Sequence, residues 1–258
     1  MRFQVLPSSI DEDGRASARQ HLLTAMIDDR VAIDAGCLAM SCSEFQRDNV
    51  RDILLTHTHL DHIAGLPIFL DDMFARLDGP IRVHATREMV EILERDIFNW
   101  SVYPRFSELR NERGPVIEYV EFAHGDTFQV AHLTVKSIPV NHKVLATGFM
   151  ISDGITSVAI TGDTAETDEF WQVCRHADNL KAVVVEAAFP NEFDELSAVS
   201  NHLTPIKLKA ELEKYPERQC PVYVINIKPM YRETVVSQLE ELSIAGLEIV
   251  ELGRVYEV

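Results

Sequence analysis

The sequence predicts an α/β fold in which layered sheets are flanked by helices, and two observations carry that expectation. Short β-branched or apolar runs recur along the whole chain. Between the later runs lie stretches whose apolar residues are spaced three and four apart. The early runs follow one another closely enough to form hairpins, whereas the later ones alternate with helices. In chain order the spacing predicts strands at 3–6, 22–27, 31–34, 53–56, 81–84, 116–122, 128–138, 146–152, 157–161, 182–186, 222–227 and 248–252. Helices are expected at 66–77, 87–98, 165–175, 205–214 and 232–244, the fourth opening on Thr204-Pro205, an N-cap followed by proline at the first helical position. No repeat, low-complexity tract or Pro/Gly/Ser-rich linker interrupts the chain, so one domain over 1–258 is expected, with a helical insertion near 67–115.

Of the 258 residues, 46% are hydrophobic and 25% charged, which is enough to build and solvate a globular core. Acidic residues number 41 and basic residues 24, giving a formal charge of −17. Such a surface repels polyphosphate at long range, so a large nucleic acid is not the expected partner. Residues 1–4 carry no charged stretch followed by an apolar run, and no apolar segment approaches the roughly 20 residues needed to span a bilayer. A soluble cytoplasmic protein with no membrane partner is expected. Cys37, Cys42, Cys174 and Cys220 form no CxxC pair and no regular spacing, so they read as reduced thiols.

The densest chemical signal is Thr56-His57-Thr58-His59-Leu60-Asp61-His62, directly after an apolar strand. Residues two apart on an extended chain project to the same side, so His57 and His59 can converge on one metal ion. A helix beginning at Leu60 would aim Asp61 and His62 in different directions, toward a neighbouring ion. A two-metal centre needs further imidazoles or carboxylates at other strand ends. His142 follows the strand expected at 128–138, and Asp163 follows the one expected at 157–161, with Gly162 permitting a tight turn. Taken alone, either would be a turn residue or a helix cap.

These residues, with Ile33-Asp34-Ala35-Gly36 and the late Ile227-Lys228-Pro229, stand in the order of the metallo-β-lactamase fold superfamily, which the chain resembles over nearly its whole length. Within it, the run Thr-His-Thr-His-Leu-Asp-His-Ile-Ala-Gly-Leu-Pro (56–67), His202-Leu203-Thr204-Pro205 and Lys228-Pro229 look most like the class II cyclic-nucleotide phosphodiesterases. The resemblance implies a four-layer αββα sandwich with two divalent ions at one edge of its sheets, zinc first, with iron or manganese as alternatives. One ion would take His57, His59 and His142. The other would take Asp61, His62 and a late histidine, with Asp163 bridging. The late position here is Asn226, whose amide oxygen is neutral and weakly basic, a weaker donor to the second ion than the implied imidazole.

The resemblance further implies a metal-dependent hydrolase that opens a small phosphodiester, a 3′,5′-cyclic nucleotide, with a hydroxide held between the ions. Asp61 and His202 would be the catalytic residues, His202 at the phosphate or the leaving oxygen. The rival readings are a hydrolase of thioesters, lactones or other esters, and a metal-binding sensor whose catalysis is weakened at Asn226. The expected partner is a small anion, and a homodimer is compatible with the sequence. Phe69, Phe74, Phe98, Trp100, Tyr103 and Phe106 read either as a subsidiary core or as a wall on which a base stacks. Asp34 reads as a structural turn residue beside the site, and Lys228 as either a phosphate contact or a strand-exit turn.

Overall fold

A computed structural model describes residues 1–258. Its first half supplies strands β1 (Arg2–Val5), β2 (Ala25–Ile27), β3 (Val31–Ile33), β4 (Asp52–Leu54), β5 (Ile81–Ala85), β6 (Arg110–Asn111), β7 (Gly114–Pro115) and β8 (Ile117–Glu121). The second half supplies β9 (Thr127–Val130), β10 (Leu133–Pro139), β11 (Thr147–Ser152), β12 (Ser157–Ile160), β13 (Leu180–Glu186), β14 (Val222–Ile225), β15 (Leu247–Ile249) and β16 (Val255–Glu257). The helices are α1 (Leu38–Ser41), α2 (Glu44–Asn49), α3 (Leu60–Ile63), α4 (Gly65–Met73), α5 (Arg87–Ile92), α6 (Glu169–Arg175), α7 (Asp194–Ser200), α8 (Pro205–Leu212) and α9 (Arg232–Glu241).

Two seven-stranded sheets repeat one plan. The first runs β16-β1-β2-β3-β4-β5-β8 and the second β9-β10-β11-β12-β13-β14-β15. In each, the first three pairings are antiparallel and the last three parallel. Adjacent residues on these strands face opposite ways, and the core divides accordingly. Ile53 joins a cluster with Leu66, Phe69 and Met89 on the helix side, while its neighbour Leu54 joins Phe3, Phe149 and Ile160 between the sheets. In the second sheet Val158 and Ile160 face that same middle cluster, whereas Ala159 turns outward to Trp171, Leu208 and Leu239. Three clusters between four layers make the αββα sandwich that the resemblance implied. No helix is long and apolar enough to cross a membrane.

Several elements differ from the sequence expectation. The run 128–138 is two antiparallel strands, because Ala131 takes a left-handed φ of 52° and turns the chain between β9 and β10. The helical pattern from Arg87 gives way to a wider π turn at Leu93–Ile97. The segment 67–115 is more than a helical insertion: it places β5 inside the first sheet and packs Phe69, Phe98 and Phe106 into the outer core. Phe74 and Tyr103 lean on that core, which accounts for these aromatics as packing, and only Trp100, 56% exposed, stands apart. Helix α8 starts as expected, with the Thr204 hydroxyl accepting from the Lys207 N–H and Pro205 at its first turn. All four cysteines are free, and three are buried.

Candidate metal centre

In sheets of this kind, the carboxyl ends of parallel strands gather functional side chains. Here Asp34 follows β3, the 56–62 motif follows β4, Asp163 follows β12, Glu186 ends β13 and Asn226 follows β14. Thr56 anchors the motif: its backbone N–H donates to Asp34 Oδ1 at 2.8 Å and its hydroxyl to Asp34 Oδ2 at 2.7 Å. Two glycines let the loops approach. A Cβ on Gly36 would stand 2.7 Å from the Leu23 carbonyl oxygen and press on the Asp61 backbone. Gly162, at φ +64°, would meet the Thr56 side chain at 2.8 Å. Helix α3 does begin at Leu60, with His59 at its N-cap.

The expected histidines converge. Ligating atoms of His57, His59 and His142 lie within 4.8 Å of one another, as do those of His57, His62 and Asp163, and of His142, Asp163 and His202. His142 Nε2 is 3.1 Å from His59 Nδ1, while His142 Nδ1 donates to the Asn201 carbonyl at 3.0 Å. A carbonyl only accepts, so the ring hydrogen sits on Nδ1 and Nε2 presents its lone pair. Asp163 divides its two oxygens between two sides. Oδ2 lies 3.9 Å from both His57 Nε2 and His202 Nδ1; Oδ1 lies 3.2 Å from His62 Nε2 and accepts from Asn226 Nδ2 at 2.5 Å.

Burial first, then the neighbouring His62, holds His57 well below the ordinary histidine range. Burial likewise lowers His59, and it lowers His142 to about 4. These rings are therefore neutral near pH 7, as metal ligands must be. Burial would lower His62 as well, but Asp163 and Asp34 on either side outweigh it and hold His62 well above its usual value. Burial would raise Asp163, yet His62, His57 and His202 keep it a carboxylate. The His57 and His62 Nε2 atoms are buried without a hydrogen-bond partner. Each such orphan costs about 1–3 kcal/mol, and the neutral rings of His57, His59 and His142 around one carboxylate suit a divalent ion. His57, His59, His142 and Asp163 fit one.

Three expected ligands stand outside that set: His62, and with it Asp61 and Asn226. The Asp61 carboxylate, half-exposed, accepts from Lys228 Nζ at 3.1 Å. Asn226 is buried at φ 54°, with its amide nitrogen on Asp163 and its oxygen 3.5 Å from Lys228 Nζ. Beside the centre, His202 Nδ1 sits 2.7 Å from Glu186 Oε1, which also accepts from the Thr164 N–H, while Oε2 accepts from the Leu203 N–H at 3.2 Å. Burial raises Glu186, and the Glu186 carboxyl outweighs burial to raise His202; two backbone N–H groups, of Thr164 and Leu203, already donate to the Glu186 oxygens, which favours the carboxylate with the proton on His202. Glu186 escapes sequence reading because it is the last residue of an apolar strand; a carboxylate closing a run of buried valines is the only signal. An aromatic run also leads away from His202: Phe189 edge-on at 5.6 Å, Tyr231 at 6.0 Å from Phe189, and Phe193 at 4.8 Å from Tyr231.

The chain is 25% identical over 236 residues to a probable 3′,5′-cyclic-nucleotide phosphodiesterase of Yersinia pestis, covering 79% of this chain and 66% of that protein. It is 28% identical over 142 residues to a ribonuclease Z of Mycobacterium bovis, covering 52% of this chain and 51% of that one. The chain thus spans about half to two thirds of the lengths of these relatives. Among solved structures, unliganded yeast PDE1 superposes with a TM-score of 0.77 at 15% identity over 98% of both chains. The family described as Beta-lactamase superfamily domain matches residues 30–219. With that much of the chain matched and two sheets layered between helices around a histidine–aspartate centre, the protein belongs to the beta-lactamase superfamily and carries the metallo-β-lactamase fold.

Proposed function

We propose that the protein is a metal-dependent phosphodiesterase whose substrate is a small organic phosphodiester, a 3′,5′-cyclic nucleotide opened to the nucleoside monophosphate. The observation that carries the reading is the convergence of His57, His59 and His142 with Asp163, the buried His57 Nε2 among them having no protein partner. These four residues would hold a divalent ion, zinc first by their chemistry, with iron or manganese next. Such an ion supplies Lewis acidity toward a phosphoryl oxygen and acidifies water.

The chain's own residues do the remaining work. Asn201 fixes the His142 tautomer, and Asp34 holds the motif loop through Thr56. His202 spends Nδ1 on Glu186 and keeps Nε2 for the leaving ribose oxygen, to which it delivers a proton. Tyr231, half-buried and packed against the buried Phe189 that stands edge-on to His202, would offer a ring face to a nucleobase. The relative named a cyclic-nucleotide phosphodiesterase supports this substrate class, and the charge of −17 favours a small anion over a long polyanion.

A substrate panel tests the reading: 3′,5′-cyclic nucleotides, bis(p-nitrophenyl) phosphate, a structured RNA and an acyl thioester, each with added zinc, manganese or iron. Metal-dependent opening of a cyclic nucleotide is expected. Thioester turnover with no phosphodiester turnover would overturn it, and RNA cleavage alone would move the substrate to that of the ribonuclease Z relative.

A further inference from the structure

The second metal position departs from the first in a way that its residues explain. A tightly held zinc or similar ion takes about four donors. The donors expected there are Asp61, His62, Asp163 Oδ1 and the residue at 226. Asp61 Oδ2 is engaged by the Lys228 ammonium at 3.1 Å. Asp163 Oδ1 already accepts from the Asn226 amide nitrogen, so Asn226 presents a donor hydrogen where an ion would need a lone pair. Asn226 Oδ1, the amide's one ligating atom, faces Lys228 Nζ at 3.5 Å. Only His62 Nε2 is left without a hydrogen bond. One imidazole beside a shared carboxylate makes two donors, below the number a divalent ion requires.

The amide could turn over, but the two contacts hold it together. Rotation would set Asn226 Oδ1 against the Asp163 carboxylate and its NH₂ against the Lys228 ammonium, replacing two attractions with two repulsions. Lys228 itself is placed by the chain: it leaves β14 two residues after Asn226, its backbone N–H donates to the Ala188 carbonyl at 3.1 Å, and Pro229 follows. Most of its side chain is covered, so its charge is aimed across the site at Asp61 rather than out into solvent.

We propose that the Lys228 ammonium stands in the second metal position, so that each chain binds one divalent ion, at His57, His59, His142 and Asp163, beside a cation of its own. This inference rests on the metal-dependent hydrolase reading above. It gives Lys228 the task of neutralising Asp61 and of presenting positive charge to a phosphoryl oxygen, where one positive charge replaces two. Lysine suits that place because its compact ammonium offers three hydrogens to three directions.

The test is metal stoichiometry, which needs no substrate. Metal-free protein is equilibrated with excess zinc, and separately with manganese, freed of unbound ion by gel filtration, and measured by elemental analysis. One ion per chain is expected for the wild type, and manganese bound at one site should give the resonance of an isolated ion. The double variant Asn226→His with Lys228→Met, which restores an imidazole and frees Asp61, should rise to two ions per chain with the spectrum of a coupled pair. Asn226→His alone should stay near one ion, because Asp61 is still taken. Two tightly held ions in the wild type would overturn the proposal whatever the variants do, and so would two ions in Asn226→His alone. A wild type that holds one ion yet opens no phosphodiester would instead sink the function and leave the stoichiometry standing.

Discussion

Asp34 grips Thr56 with both carboxylate oxygens and, through Oδ2, lies 2.7 Å from His62 Nδ1. The Thr56 hydroxyl in turn lies 3.0 Å from His57 Nδ1. One buried carboxylate thus sets the loop that carries His57, His59 and His62 without being a metal ligand itself. Asp34→Ala should lower metal affinity about 10–100-fold, the usual cost of losing an outer partner of a metal site. Titration against a chromogenic chelator reads this directly; unchanged affinity in a folded variant would remove Asp34 from the positioning role.

His59→Ala should lower metal content and hydrolysis in parallel, since His59 and His142 bring their ring nitrogens within 3.1 Å on the side of His57. Elemental analysis and turnover are compared on the same preparation. Retention of both would mean that His59 is not a ligand.

His202→Ala should leave metal content intact while slowing cyclic-nucleotide opening by roughly 10²–10⁴, the range of a lost general acid. A nitrophenyl ester, whose leaving group needs little protonation, should be spared. Glu186→Gln should act in the same direction, because it removes the carboxylate that keeps the proton on His202 Nδ1. An equal loss on both esters would recast His202 as a phosphate contact.

A stability prediction concerns Asp52 in β4. Its carboxylate takes a bond from Arg82 Nε at 2.7 Å and pairs with His84 Nε2 at 2.8 Å. Burial pushes Asp52 up, but His84 and Arg82 outweigh it and hold it below 3.8. A group depressed in the folded state stabilises fully above its unfolded value and loses that contribution as pH falls through the folded one. Asp52→Asn should therefore cost about 2–3 kcal/mol near pH 7, the worth of bonds to a charged acceptor. The gap from wild type should narrow as the pH drops below 3.8, a trend that denaturant melts across the acid range would show. A gap that stays constant with pH would place the effect in packing.

The clustering of the histidines with Asp163 was legible because each follows a strand that its own apolar run announces. His57, His59, His62, His142 and Asp163 need only local grammar and a shared order. Glu186 needed a contact: it reaches His202 sixteen residues away, and nothing in a strand's last position says what it will face. The Lys228–Asp61 pair spans 167 residues and is invisible to any local pattern. The hairpin at Ala131 was missed for a related reason, since alanine carries no turn signal and its left-handed φ is imposed by the pairing of β9 with β10. The aromatics between 69 and 106 read as a subsidiary core or a stacking wall, and the structure packs all but Trp100 into or against the outer core, whereas Phe189 beside His202 stands in a stretch with no periodic signature.

The division of donors between the two sheets has a consequence for how the molecule holds together. His57 and His59 leave the first sheet, while His142 and Asp163 leave the second, and no disulfide joins the halves. An ion bound by all four is a cross-link across the seam. Its binding free energy is also free energy of keeping the two sheets docked, about 4 kcal/mol when the ion is at a thousand times its dissociation constant. Stripped of metal, the middle cluster around Phe3, Leu54, Phe149 and Ile160 must hold the seam alone. The melting temperature should then fall with chelation and climb with metal concentration, and it should do so in His202→Ala as well, because holding the halves shut asks nothing of the residue that passes the proton.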